Sequence, residues 1–106
     1  MANSRKYTTF GELLRSLREK KGNTLKEVAS SIEIDISLLA KIERNERTPT
    51  KQLIKNISIY FNFDEKELLN EFLSDQIVYK ILDEEANVNI LKVAEKKIKY
   101  RITNYK

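Results

Sequence analysis

Apolar residues recur at the spacing of an α-helix along most of the chain. In TFGELLRSLREKKG they stand at positions i, i+3, i+4 and i+7, which places them on one face of a helix. The spacing returns in TLKEVASSI, ISLLAKIE and TKQLIKNISIYF, and again across residues 64–82 and 90–102. Because only two glycines and one proline interrupt the chain, the pattern predicts an all-α fold of helices joined by short turns.

The breaks between the apolar stripes carry residues that begin or end helices. Gly22 and Asn45 accept the left-handed backbone that ends a helix, and Thr24 with Glu27 forms a capping-box pattern. Asp35 is a candidate N-cap for the segment that follows it. These signals predict two helices of roughly eight residues joined by a three-residue turn, which is the arrangement of a helix-turn-helix unit.

The residue types present exclude several classes of function. The chain has no histidine and no cysteine, so the usual general base, the thiol nucleophile and most transition-metal ligands are missing. It has no glycine-rich loop for a nucleotide, and the acidic run at 83–85 has no spaced partner. We therefore expect no enzymatic activity, no metal or cofactor, and no small-molecule ligand.

Neither a targeting segment nor a membrane span is expected. The start MANSRKYTTF lacks the apolar region of a signal peptide, and no stretch approaches about 18 consecutive apolar residues. The absence of cysteine fits a reducing compartment. These features together indicate a cytoplasmic protein.

Charge is unevenly distributed along the chain. Residues 1–60 carry 12 basic residues against 7 acidic ones, whereas residues 61–85 carry 2 against 8. Residues 86–106 are basic again, with 6 against 1. The first basic region contains the predicted helix-turn-helix, which favours a negatively charged partner such as nucleic acid.

Residues 8–69 resemble the helix-turn-helix domains of the XRE, or Cro/CI phage-repressor, family. The family pattern is matched in register at ten positions, namely Gly22, Thr24, Val28, Ala29, Ile34, Leu39, Ile42, Glu43, Arg47 and Pro49. The resemblance implies a lambda-repressor-like bundle of four to five helices that binds double-stranded DNA. In this chain a C-terminal helical extension follows the bundle.

Glu43 lies next to Ile42, in register with an apolar helix face. In the family, an acid at this position is buried and pairs with an arginine of the first helix, which here is Arg18. Because burying an unpaired carboxylate is costly, the resemblance implies a structural salt bridge between Arg18 and Glu43. The alternative is an ordinary surface glutamate at a helix end.

The exposed side of residues 36–44 corresponds to the DNA-recognition face of the family. Ile36, Ser37 and Lys41 occupy base-reading positions, where they can pack on a thymine methyl group, exchange a hydrogen bond, or reach guanine O6 and N7. Contacts with phosphates, which position the protein without reading sequence, are assigned to Thr24, Lys26, Arg44 and Arg47. For each single residue the alternative is a solvated polar group.

Three residues depart from the family pattern. Leu25 replaces the glutamine that opens the second helix, so one customary DNA contact is missing, although the Thr24 cap remains. Glu33 replaces the turn glycine, and a positive φ there would cost roughly 1 kcal/mol. Asn45 replaces the glycine after the recognition helix, which is a mild change because asparagine tolerates the left-handed region.

The sequence divides into a flexible arm at 1–7, a helix-turn-helix DNA-binding domain at 8–63 and a helical extension at 64–106. The extension contains two amphipathic helices of opposite charge, which we expect to form a homodimer interface. The alternative is that they cap the core of a monomer. The residues expected at the interface are Leu69, Phe72, Leu73, Ile77, Ile81, Leu91, Ala94 and Ile98.

The two ends of the chain carry further basic and aromatic residues. Arg5 and Lys6 in the arm either reach a DNA groove or are disordered. The basic segment with Tyr100 and Tyr105 is either a second DNA-contacting arm or a solvated helix end. The interpretation as a whole is a dimeric regulator, a repressor or a controller like those of restriction–modification systems, that binds a palindromic operator. It would be associated with the nucleoid when bound. The alternative is a protein-interaction module, such as an antitoxin or an adaptor.

Overall fold

The computed structural model describes residues 9–104, and within that range it consists of six α-helices and no strands. The all-α prediction is therefore confirmed. Two predicted features, the arm at 1–7 and Tyr105, lie outside the described residues. The helices are α1 (Phe10–Lys21), α2 (Leu25–Ser31), α3 (Ile36–Glu43), α4 (Lys51–Phe61), α5 (Glu65–Asp83) and α6 (Ile90–Asn104).

The chain forms two compact units, the first ending at Asp75 and the second beginning at Gln76. This division falls inside α5, whereas the sequence suggested a boundary between residues 63 and 64. The reason is that the first turns of α5 belong to the core of the first unit, where Leu68 is completely buried. We call the first unit the reader unit and the second unit the tail unit.

The core of the reader unit is built from the apolar stripes of its five helices. Each stripe turns inward at the i, i+3, i+4 positions that the sequence pattern selects, because this spacing collects apolar side chains on one face. Leu14, Leu39, Ile54 and Leu68 are among its most buried members. The buried residues are Phe10, Leu13, Leu14, Val28, Ala29, Ile32, Leu39, Ile42, Leu53, Ile54, Ile57 and Leu68.

Two residues that the sequence assigned to a dimer interface also pack on this core. Leu69 and Phe72 are partly buried against the cluster, and the Phe72 ring meets the Phe10 ring edge to face, with centroids 5.9 Å apart. A dimer contact at these two positions stays a prediction, since both side chains are only partly buried and helical spacing identifies an apolar face but not the surface that covers it. The first half of α5 thus caps the reader unit.

Helices α1 to α5 all end in the same way. Each is followed by a residue with positive φ, and the next amide N–H donates to the carbonyl five residues back at 2.8–3.1 Å, which is the Schellman arrangement. Glu33 is one of them, with φ 60°, so the strained turn considered from the sequence is present. The five residues are Gly22, Glu33, Asn45, Asn62 and Glu85.

The first three amides of α1 are all capped, two of them by distant residues. The Asp75 carboxylate accepts a hydrogen bond from Phe10 N at 2.7 Å, and Asn45 Oδ1 accepts one from Gly11 N at 3.0 Å. Thr9 Oγ1 accepts from Glu12 N at 3.2 Å and also receives the Asn45 Nδ2 hydrogen bond at 2.9 Å. The start of α1 is therefore held against the end of α3 and against α5.

Gly11 permits this close approach. A Cβ atom at position 11 would lie 2.5 Å from Glu43 O and 2.6 Å from Ile42 O, both of which are backbone atoms. A glycine inside a helix is normally unfavourable by about 1 kcal/mol relative to alanine. Here it is required because the backbone of α3 occupies the space that a side chain would need.

The tail unit contains the end of α5 and all of α6. Ile81, Ala86 and Ala94 are half-buried within it, and no residue of α6 is fully buried. Its other large apolar residues are exposed, including Ile77, Leu91 and Ile98. Among the helices of residues 9–104, none is both long and apolar enough to span a membrane.

Candidate nucleic-acid interface

Helices α2 and α3 form the predicted helix-turn-helix, with residues 32–35 between them. α2 begins with a complete capping box: Thr24 Oγ1 accepts from Glu27 N at 3.1 Å, and Glu27 Oε1 accepts from Thr24 N at 2.8 Å. The hydrogen bond from Thr24 N to the Glu27 carboxylate, and a second one from the Asn23 side chain, lower the pKa of Glu27. Asp35 stands at the N-cap of α3 as expected, but its side chain makes no capping hydrogen bond.

Arg18 and Glu43 join α1 to the end of α3. Arg18 Nε lies 2.7 Å from Glu43 Oε2, and Arg18 Nη2 lies 3.0 Å from Glu43 Oε1. The two side chains are only 13% and 6% exposed. The hydrogen bond from Arg18 to Glu43 raises the pKa of the guanidinium. This two-pronged contact fixes the orientation of α3 in the bundle, because its geometry allows little rotation.

Arg18 also belongs to a hydrogen-bond network that connects α1 to α4. Arg18 Nη1 donates to Asn23 O at 3.2 Å, and the Tyr60 hydroxyl donates to Asn23 Oδ1 at 2.7 Å. Lys21 Nζ lies 4.7 Å from the centre of the Tyr60 ring. The roles of Asn23 and Tyr60 could not be predicted from the sequence, since neither residue lies on a predicted apolar stripe or in the family pattern.

The outward side of α3 is accessible. Leu39, Ile42 and Glu43 face the core, which leaves Ser37 and Lys41 exposed and Ile36 half-exposed. Ser37 and Lys41 line one open depression together with Arg47 from the following loop. The acidic residues Glu33 and Asp35 border the same depression. Three of the predicted contact residues are thus gathered on one surface, with carboxylates beside them.

Arg44 is exposed but already has a partner. Its Nε lies 2.9 Å from Glu46 Oε2, and its Nη2 lies 3.1 Å from Glu46 Oε1. This contact raises the pKa of Arg44, and the pKa of Glu46 is lowered mainly by Arg44 and further by the charge of Lys41. The sequence placed Arg44 correctly on the surface but did not identify this partner.

The first turn of α2 carries the other predicted phosphate contacts. Thr24 and Lys26 are both exposed, and the Thr24 hydroxyl is occupied by the capping box. Leu25, which stands where the family has glutamine, is half-buried and packs on the core cluster. The substitution therefore exchanges a polar surface contact for packing. Residues 9–104 contain no group of three potential metal ligands that would hold an ion.

Two short helices joined by a tight turn, locked to α1 by a buried ion pair, define the class of this fold as a helix-turn-helix domain. A family model for the helix-turn-helix domain matches residues 11–71. The chain belongs to this family, in its XRE-like group.

Known relatives agree with this assignment. The transcriptional regulator ClgR of Mycobacterium tuberculosis is 36% identical over 47 residues, which cover 44% of this chain and 42% of ClgR. The uncharacterized HTH-type transcriptional regulator YazB of Bacillus subtilis is 32% identical over 59 residues, covering 56% of this chain and 86% of YazB. The chain thus spans less than half the length of the first of these relatives and most of the second.

A solved structure shares the fold. The crystal structure of the clp gene regulator ClgR from Corynebacterium glutamicum superposes with a TM-score of 0.55 at 23% sequence identity. The match covers 78% of this chain and 88% of that one. All three of these proteins are described as regulators of transcription or of genes, and none as an enzyme.

Proposed function

We propose that this chain is a sequence-specific DNA-binding regulator of transcription that inserts α3 into the major groove. The observation that carries the proposal is the exposed face of α3, which presents Ser37 and Lys41 beside Arg47 while the opposite face is locked into the core. A helix can read base edges only if it is rigidly held and its outer side chains can hydrogen-bond to base edges or pack on a thymine methyl group. The buried Arg18–Glu43 pair supports the first condition.

Base reading falls to Ile36, Ser37 and Lys41. Lys41 reaches guanine O6 and N7, Ser37 donates or accepts a hydrogen bond, and Ile36 packs on a thymine methyl group. Their exposure supports this assignment. Each well-placed contact of this kind discriminates against a wrong base by about 1–3 kcal/mol.

Phosphate contacts fall to Thr24 and Lys26 at the start of α2, and to Arg44 and Arg47 after α3. Such contacts set the position of the protein on the duplex and make the affinity fall with salt. The exposure of all four side chains supports the assignment. Arg44 must first exchange Glu46 for a phosphate oxygen.

We further propose that two copies bind a palindromic operator through the tail unit. A single reader unit contacts too little DNA for tight specific binding, and paired half-sites lie about one helical turn, ~34 Å, apart. The exposed apolar residues Ile77, Leu91 and Ile98 of the tail unit support the proposal that this surface is covered by a second copy. Leu73, also proposed as a dimer contact, is an exposed apolar residue of the reader unit. Ile81 and Ala94 are already half-buried and would lie at its edge.

The proposal is tested by selecting bound sequences from a random duplex library with the wild type and with Lys41→Ala. We expect the wild type to return a palindrome and Lys41→Ala to lose preference at one position in each half. The matched control is Lys55→Ala on α4, which removes the same charge from an exposed helix position away from α3. This control should keep the full motif.

The absence of any motif at moderate salt would contradict base reading. The alternative, a protein-interaction module such as an antitoxin or adaptor, would then be pursued by searching for a protein partner of the tail unit. If both lysine variants lost the motif equally, α3 would not be the reading element.

A further inference from the structure

Glu46 lies among the cations of the recognition face. It pairs with Arg44 through two contacts of 2.9 and 3.1 Å, and Lys41 is close enough for its charge to lower the pKa of Glu46. Both partners of the pair remain more than half exposed. The contact is therefore open to water, to salt and to any anion that approaches α3.

The backbone holds Glu46 in this place. Asn45 takes the left-handed conformation, and Glu46 N donates to Lys41 O at 2.8 Å, which closes the end of α3. The side chain of Glu46 therefore extends from a backbone position that is fixed by the hydrogen bond to Lys41 O, and not from an unrestrained loop. Its proximity to Arg44 follows from the helix end and not from the loop that comes after it.

Carboxylates nearly balance the cations on this surface. Lys26, Lys41, Arg44 and Arg47 are the candidate DNA-binding cations, whereas Glu33 and Asp35 border the depression and Glu46 occupies Arg44. Non-specific binding to DNA depends almost entirely on phosphate neutralisation and the release of counterions. A carboxylate that forms an ion pair with an arginine prevents that arginine from neutralising a phosphate. The loss matters most in the non-specific complex, whose affinity comes almost entirely from phosphate contacts.

Building on the proposed function, we propose that Glu46 competes with DNA phosphates for Arg44 and so restrains non-specific binding. In a loosely bound complex no phosphate is held beside Arg44, and the pair with Glu46 persists. When α3 is seated in its operator, a phosphate is fixed next to Arg44 and replaces Glu46, because an exposed ion pair is weak and arginine binds phosphate with two matched hydrogen bonds. Glu46 is thus a specificity-determining residue that does not contact a base.

The test is the salt dependence of DNA binding by wild type and Glu46→Gln, measured by fluorescence anisotropy. Two probes are used, a labelled mixed-sequence duplex and the operator duplex returned by the selection. For the mixed-sequence duplex we expect the plot of log K against log salt to steepen by about 0.9, with affinity up to about eightfold higher near 0.1 M salt. For the operator duplex the slope should stay unchanged.

Two further variants show whether the effect belongs to this pair. Glu19→Gln removes the same charge from a similarly exposed arginine–glutamate pair on α1, with Arg15 at 3.0 Å, and should leave both slopes unchanged. In an Arg44→Gln background, Glu46→Gln should no longer steepen the slope, because the freed arginine is absent. Thermal unfolding of each variant verifies that it is folded.

The outcomes separate the two proposals. If the wild type binds its operator but Glu46→Gln behaves like Glu19→Gln, or steepens both slopes equally, the role of Glu46 in specificity is overturned while DNA binding stands. If the wild type binds neither duplex at low salt, the proposed function fails and this inference fails with it.

Discussion

Glu43 is a charged residue in a core position, and the sequence was informative about it. Its register with the apolar face indicated burial, and the family resemblance supplied Arg18 as its partner. The observed contacts of 2.7 and 3.0 Å, at 6% exposure of Glu43, explain why a carboxylate is tolerated there. A buried ion pair adds little net stability compared with apolar residues, but removing one partner leaves the other charge unpaired.

We therefore expect Glu43→Gln to lower the free energy of unfolding by about 3 kcal/mol or more. Urea denaturation followed by circular dichroism measures the loss. The control is Glu19→Gln, whose exposed pair with Arg15 is worth about 0–1 kcal/mol. Adding Arg18→Met to Glu43→Gln should recover part of the loss, since the stranded charge is removed. Equal effects of Glu43→Gln and Glu19→Gln would contradict a structural lock.

Arg44 shows where reasoning from the sequence stops at this scale. Helical spacing placed Arg44 on the outside, but the choice of Glu46 as its partner depends on how the backbone turns after α3. At Leu25, by contrast, the apolar spacing of TLKEVASSI predicted burial, and the side chain does pack on the core. Spacing predicts exposure, whereas partners depend on the three-dimensional path of the neighbouring loops.

At the scale of single elements, the helix ends were largely predictable. Gly22 and Asn45 were expected to end helices because both tolerate positive φ, and they do so here. The additional role of Asn45 could not be predicted, because its side-chain oxygen accepts a hydrogen bond from Gly11 N, which is 34 residues away in sequence. Glu33 and Glu85 also adopt positive φ without being glycine or asparagine, at a cost of roughly 1 kcal/mol each.

For the substitution Gly11→Ala, helix propensity and tertiary packing predict opposite changes in stability. Helix propensity alone favours Gly11→Ala by about 1 kcal/mol, but the new Cβ would press on the backbone oxygens of Ile42 and Glu43. We expect the substitution to destabilise the protein by about 1–3 kcal/mol, as overpacking does. Thermal unfolding followed by circular dichroism gives the change.

Gly22→Ala is the matched control, because nothing lies within 4 Å of a Cβ there and the only penalty is its φ of 76°. It should cost about 1–2 kcal/mol, the usual penalty for a left-handed residue that is not glycine. If Gly11→Ala raised the melting temperature, the close approach of α1 and α3 would be wrong. The two substitutions thus separate two reasons for a glycine, which are a close backbone contact at Gly11 and a left-handed backbone at Gly22.

At the scale of the whole molecule, helix number and order were predictable and the division of α5 was not. The apolar period runs through α5 without a break, so it could not reveal that Leu69 and Phe72 pack on the core of the reader unit while Ile77 belongs to the tail unit. Periodicity identifies which face is apolar. The surface that covers each part of that face is fixed by tertiary packing, which a single sequence does not display.

The exposed apolar surface of the tail unit leads to a prediction about assembly. We expect the wild type to sediment as a dimer at micromolar concentration and Ile98→Lys, at a side chain 57% exposed on α6, to weaken dimerisation at least about tenfold, or ~1.4 kcal/mol. The control is Ile59→Lys, which places the same charge at an apolar residue of α4 that is 68% exposed. Sedimentation velocity across a concentration series measures both. A wild type that remains monomeric at high micromolar concentration would contradict the dimer.

The hydrogen bond from Phe10 N to the Asp75 carboxylate has a consequence for biosynthesis. It joins residues 65 positions apart, so the first turn of α1 leaves the ribosome long before the residue that caps it. Leu68, which completes the core, also emerges late. We therefore expect the N-terminal helices to reach their final packing only after α5 has left the exit tunnel, and a nascent chain stalled before residue 75 to lack the cap on Phe10 N.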